Sequence, residues 1–316
     1  MRTADSTTAP QLHRPDVPPS MNIAHLRKSL LRSRTLMSLM CSLITFALVL
    51  IAVVPLFSVL YMLCWKGAQT IDWAFFTETS PYALQETGGG VGNSIVGSLT
   101  MVLIATLISV PVSVLTAVYL SEISPDSKFA GLVRFASKLL TGLPSIIAGV
   151  FIFGLMVATM KTFSAWAGGV ALSILMIPMI TLTAEEAIKM VPAKMREAAY
   201  GMGCTKTQVI YRVLVPTALP GILTGIMLAI ARALGETAPL LFTAQYAPQS
   251  WVWEGKNLRL DKPTQSLAVF VYENAGSVYD NLDEMAWGAA LVLVVLVLVF
   301  NVGGQLISYR AARHKA

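Results

Sequence analysis

Arg232 and Glu236 stand four residues apart inside a long apolar stretch. On a helix that spacing puts both on one face. Each costs roughly 2.5–3.5 kcal/mol at the centre of a membrane helix unless it is paired or faces a water-filled cavity. Keeping both suggests use. A guanidinium fork matches a tetrahedral oxyanion. A carboxylate beside it can orient the fork and accept a hydrogen bond from an oxyanion that still carries a proton. Phosphate near neutral pH carries one; sulfate does not. The candidate pathway residues are therefore Arg232, Glu236 and Thr237. Pro239 removes a helix N–H and loosens the turn that ends at Gly235. The competing reading is a structural ion pair gluing two spans together.

A second constellation is Glu197-Ala198-Ala199-x-x-x-Gly203 followed by Val213-Leu214-Val215-Pro216, within a polar interlude at 185–217. Pro192 can open a short helix and Gly203 can end it. Thr205 can cap a second helix that runs to Leu214 before Pro216. Ala198 and Ala199 leave a small surface that another protein can approach, and Glu197 supplies a charge. The plainer reading is a surface loop of two amphipathic helices. Catalytic constellations are missing from the sequence. His13, His25 and His314 all fall in the tails, which leaves no histidine for a triad or an intramembrane metal site. The run Gly88-Gly89-Gly90-Val91-Gly92 lacks the Gly-Lys-Ser/Thr ending of a phosphate loop and reads as a flexible turn. Cys41, Cys64 and Cys204 are too dispersed for a disulfide framework.

These residues need a scaffold, and the composition describes one. The chain has 316 residues, 55% hydrophobic and 13% charged. Its apolar residues collect in six runs, 36–63, 95–120, 139–160, 165–184, 218–244 and 286–309. Each reaches the roughly 20 residues a spanning helix needs. The expectation is an all-α polytopic membrane protein with six transmembrane helices and a cytoplasmic coupling-helix loop. With the N-terminus inside, 17 of the 23 Lys and Arg residues lie on the inner side and 5 outside, with Arg232 in a span. That bias predicts both termini in the cytoplasm. The net charge of +6 follows from topology and gives no reason to invoke nucleic acid. The expected divisions are a disordered tail at 1–35, a six-helix transmembrane domain at 36–309 and a short tail at 310–316. No cleavable signal peptide is evident.

Between the runs, Pro125-Asp126-Ser127 predicts a turn. Phe129, Leu132, Val133 and Ala136 then predict a short interfacial helix. The last outer loop, 245–285, carries Trp251, Trp253, Tyr272 and Tyr279, with Trp287 beyond it. These suit aromatic anchoring at an interface, and part of the loop could touch a delivery protein.

The spacing around Glu197 matches the pattern E-A-A-x3-G-x9-I-x-L-P, with Val213 and Val215 at the Ile and Leu places. It resembles the coupling loop of permease subunits in binding-protein-dependent, ATP-driven importers. The run Ala231-Arg232-Ala233-Leu234-Gly235-Glu236-Thr237-Ala238-Pro239-Leu240-Leu241-Phe242-Thr243-Ala244 resembles phosphate-specific importer permeases. Its Ala-Pro-Leu-Leu part is similar to the A-type subunit rather than the C-type sister. Gly142 to Phe151 resembles the corresponding span. The likeness begins near residue 36.

The resemblance implies a cell-membrane subunit without catalysis of its own and without a cofactor. ATP and Mg would be bound by two ATPase subunits docked at Glu197, Ala198, Ala199 and Gly203. A related C-type permease would complete a heterodimer in membrane lipid, and an external phosphate-binding protein would deliver substrate. It also associates the Arg and Glu matching Arg232 and Glu236 with the substrate path. Alternatives are a permease for molybdate or sulfate, which Glu236 would repel, and a stand-alone secondary transporter, against which the coupling-type loop argues. A membrane enzyme lacks its catalytic residues.

Overall fold

The computed structural model describes residues 33–82, 84–85, 87–254 and 257–313. The expected N-terminal tail lies outside them apart from 33–35, where the first helix has begun, and 314–316 also lie outside. Contacts divide the chain between Val59 and Leu60. The first unit contributes most of α1 (Ser33–Thr70), and its side chains from 36 to 59 are almost all exposed. The second unit, from Leu60 onward, is a packed helical bundle.

In that bundle α2 (Trp73–Thr77) is a single turn capped by Asp72. The Gly88-Gly89 pair, both at positive φ, then brings the chain to α3 (Gly92–Val118), which continues through a wide π turn (Tyr119–Ile123). Ser127 caps α4 (Lys128–Gly142) by accepting from the Ala130 N–H at 3.0 Å. Leu143 precedes a proline and is therefore extended (φ −75°, ψ 143°). The chain bends by 104° there, into α5 (Ser145–Ile152), a second π turn (Phe153–Val157) and α6 (Ala158–Met160). The interfacial helix and the third apolar run are thus one bent pair, and the first residues of that run, from Leu139, belong to α4. Its second limb from Ser145 to Met160 is only roughly 24 Å long by helical rise, against a hydrocarbon core of roughly 30 Å.

Ser164 caps α7 (Ala165–Lys189), which carries Pro178 inside. After α8 (Ala193–Gly201), α9 (Lys206–Val209) runs through a third π turn (Ile210–Leu214) directly into α10 (Val215–Leu234). The second loop helix therefore does not end before Pro216; it is the start of the fifth span. The wide turn absorbs the proline, because the Val215 N–H reaches back five residues to the Ile210 carbonyl. Next come α11 (Ala238–Thr243), a two-residue hairpin β1 (Trp253–Glu254) and β2 (Asn257–Leu258) with Trp253 opposite Leu258, α12 (Leu267–Asn274) and α13 (Asp280–Arg313). Residues 310–313, expected as part of a tail, are helical. Among the described residues five helices are long and apolar enough to cross a membrane, and there are six if the bent pair is one span.

The core lies between α3, α7 and α10, where Met101, Ala105, Leu172, Met176, Ile180, Ala229 and Leu234 are buried. Lipid is as apolar as leucine, so close van der Waals packing rather than water exclusion holds these helices together. Small residues allow it. A Cβ on Gly169 would stand 2.5 Å from Ile104 Cγ2, and one on Gly225 would collide with Thr183. Beyond the helix ends a polar knot closes the bundle. Gln265, fully buried, donates from Nε2 to Ser80 Oγ at 2.9 Å and to Ser94 Oγ at 2.7 Å. Asn93 donates to the Pro248 carbonyl at 2.8 Å. The long 245–285 loop is thus pinned to the start of α3. Trp253, Tyr272 and Tyr279 remain exposed on it.

Candidate functional site

The fifth span breaks where its charges sit. α10 ends at Leu234, the Gly235 N–H turns back to the Arg232 carbonyl at 3.0 Å, and α11 restarts at Ala238 with Thr237 as its N-cap residue. Pro239 is the second residue of α11, a position that does not need an N–H. The break is held from the side. A Cβ on Gly149 of α5 would stand 2.6 Å from Pro239 Cα, so only glycine lets α5 press against the α11 backbone.

Arg232 Nε donates to Glu236 Oε1 at 3.2 Å. The Arg232 side chain is 48% exposed and Glu236 only 14%. An exposed pair at this spacing is worth about 0.3–0.5 kcal/mol, and the two insertion costs are several times larger. The pair therefore does not account for its own presence by the stability it adds. Together with Leu172, Met176 and Met179 of α7 and Ala229 and Ala233 of α10, the pair lines a narrow cleft of about 10 Å³, room for roughly one water molecule. The guanidinium stands at the cleft's edge, half exposed. Thr237 is half-buried at the break, and its carbonyl accepts from the Leu240 and Leu241 N–H groups, each at 3.1 Å.

The loop at 185–217 has the expected outline. Pro192 opens α8. Gly203, at φ +82°, closes it in a Schellman arrangement: Cys204 N–H to Ala199 carbonyl at 3.1 Å and Gly203 N–H to Tyr200 carbonyl at 2.9 Å. Thr205 and Gln208 then form a capping box. Glu197, Ala198 and Gly203 are exposed, and a Cβ on Gly203 would meet nothing within 4 Å. The two alanines separate: Ala198 faces outward, while Ala199 is 1% exposed and ties the loop to the bundle's core. Three exposed apolar side chains, Met195, Tyr200 and Met202, surround this face. Sequence reasoning passed over them because single apolar residues in a polar loop carry no periodicity. It also passed over Glu185, one residue beyond the fourth apolar run, whose carboxylate is buried between Arg134 and Lys189.

The profile of the family described as "Binding-protein-dependent transport system inner membrane component" matches residues 88–313. The chain belongs to that family. Two relatives support the assignment. The "Phosphate transport system permease protein PstA" of Haemophilus influenzae is 38% identical over 250 residues, 77% of this chain and 86% of the relative. The "Probable phosphate transport system permease protein PstA" of Methanocaldococcus jannaschii is 36% identical over 259 residues, 81% of this chain and 88% of the relative. Among solved structures, the fold is similar to a chain of a bacterial alginate ABC transporter crystallised with an alginate-bound periplasmic protein. The TM-score is 0.61 at 16% identity, covering 89% of this chain and 99% of that one. A chain of the MetNI methionine ABC transporter in an inward-facing conformation gives 0.54 at 22%, covering 69% and 93%. At these identities the two structures show the fold alone. As an inner-membrane transport component the chain is a multi-pass membrane protein, and the family match contains both the loop at 185–217 and the broken fifth span.

Proposed function

We propose that this chain is the permease subunit of an ATP-driven importer of inorganic phosphate and supplies half of the translocation pathway. The observation that carries the reading is the Arg232–Glu236 pair at the helix break: it lines a narrow cleft of this chain and leaves the guanidinium half exposed. A pathway bounded on one side by this face needs a second permease on the other. The names of the relatives give the substrate, and the pair gives a chemical reason for it. Arg232 offers its fork to the anion, and Glu236 accepts the hydrogen bond of a protonated phosphate. Thr237 lies at the same break. The chain's own residues bind, orient and release; no bond is made or broken here.

In this reading Glu197, Ala198 and Gly203 face an ATPase subunit, which binds ATP and Mg, with Ala199 anchoring the loop behind them. A pair of ATPases, a related permease and an external phosphate-binding protein complete the complex. The excess of Lys and Arg on the loop side supports cytoplasmic termini. The test is the double variant Arg232→Gln, Glu236→Gln. Removing both charges leaves none unpaired, so a merely structural pair predicts near-normal phosphate uptake. The pathway reading predicts a complex that assembles, keeps its ATPase and fails to import phosphate. Arg232→Lys keeps the charge and loses the fork. It should import at an intermediate rate if electrostatic attraction contributes and not at all if bidentate recognition is required.

A further inference from the structure

Six charged side chains meet at the loop end of the bundle, and they are not used alike. Arg134 of α4 uses its whole guanidinium. Nε donates to Glu185 Oε1 of α7 at 2.7 Å, Nη1 to the Pro125 carbonyl at 2.8 Å and Nη2 to the Leu120 carbonyl at 2.6 Å. The last contact has a local cause. In the π turn that ends α3 the Ser124 N–H reaches back five residues to Tyr119. By the same step Leu120 would need the N–H of residue 125, which is a proline and has none. Lys189 adds a second cation to Glu185 at 2.5 Å. This is a satisfied clamp joining α3, α4 and α7.

Arg196 of α8 is different. Its Nη2 lies 2.8 Å from Glu122 Oε1, in the same π turn, and 3.2 Å from the Ile188 carbonyl of α7. Yet Arg196 Nε is buried with no hydrogen-bond partner, and Glu122 Oε1 takes the charge contact without an aligned hydrogen bond. The other limb of the loop grips the same turn: Lys206 of α9 donates to the Ile123 carbonyl at 3.4 Å. Both limbs of the docking loop therefore end on Glu122 and Ile123. A fully paired clamp holds its geometry. A half-buried pair with one donor and one acceptor unmet is where a second arrangement is available.

We propose that the π turn at Tyr119–Ile123 receives the motion of the docking loop, with Arg196 and Glu122 as the positioning residues of a movable joint and Arg134–Glu185 as its fixed brace. Motion delivered to that turn passes along α3 to α7, which α3 meets at Ser109 and Met176. Met176 also lines the cleft beside Arg232. The inference rests on the reading of 185–217 as the ATPase-docking loop.

The test uses the whole complex, purified with its ATPase and external binding protein and reconstituted in liposomes. Phosphate imported and ATP hydrolysed are measured together. Glu122→Gln and Arg196→Gln should keep the ATPase bound and hydrolysing while phosphate moved per ATP falls roughly 2- to 30-fold, the size of coupling carried by single residues. Arg196→Lys should lie between these and the unmodified chain. The exchange Arg196→Glu with Glu122→Arg should recover part of the ratio. An unchanged ratio in both single variants overturns the proposal. So does loss of the ATPase in both without recovery in the exchange, which would make the pair a docking brace only. If the single variants fail to accumulate, the exchange decides: a recovered ratio supports the joint and a lost ratio overturns it. Gly203→Asp separates the underlying reading, since an ATPase retained by that variant refutes the docking loop whatever the joint variants do.

Discussion

Gly149→Ala is a one-carbon test of how the helix break is held. The added Cβ would stand 2.6 Å from Pro239 Cα and 3.0 Å from the Pro239 carbonyl oxygen. Carbon atoms pack at about 3.5–4.0 Å, so α5 and α11 must part by roughly 1 Å. The obstruction is backbone on the Pro239 side and cannot rotate away. Overpacking of this kind costs about 1–3 kcal/mol. Pro239 follows Glu236 by three residues, so part of the displacement reaches the Arg232–Glu236 pair. Misplacing a positioned group by roughly 1 Å costs up to about 100-fold in function. Phosphate uptake in cells lacking other phosphate importers should fall at least about tenfold by that argument, alongside a lower melting temperature of the purified complex. The control is Gly131→Ala in α4, where a Cβ meets nothing within 4 Å and Ala should gain roughly 0.5–1 kcal/mol of helix stability. Unmodified uptake and melting temperature in Gly149→Ala would show that the close approach does not set the site.

The other predictions address docking and topology. Gly203→Asp places a side chain in open space at φ +82°, where Asp tolerates the left-handed region better than most residues. The chain should insert and fold at a cost of about 1 kcal/mol, yet lose its ATPase on purification and its ATP-driven uptake. Normal uptake would refute docking at this turn. A cysteine replacing Ser250 should react with an impermeant thiol reagent from outside the cell only. Cysteines replacing Ala4 and Ala316 should react only once the inner side is opened. Labelling of residue 250 from the cytoplasm would overturn the assigned orientation.

The helical membrane class is legible in the amino acids alone, because unbroken apolar length is a one-dimensional property and few structures hide a backbone from lipid. The outline of the loop at 185–217 was legible too. Pro192, Gly203 and Thr205 act through their own backbone preferences, and each sits where local chemistry puts it. The Arg232–Glu236 pair was legible for the same reason: charge inside an apolar run stands out without any fold. What lay beyond the sequence depends on neighbours distant in the chain. Pro216 reads as a stop, and the π turn at Ile210–Leu214 carries the helix through it. Ala198 and Ala199 read alike, and only packing buries one of them. Leu143-Pro144 reads as the entry to a span, and the 104° bend there makes the preceding interfacial helix part of the same unit. Glu122, Arg134, Glu185 and Arg196 read as scattered charges near span ends. They become a clamp and a joint because α3, α4, α7 and α8 converge at one point, where burial forces each charge to find its partner across the chain.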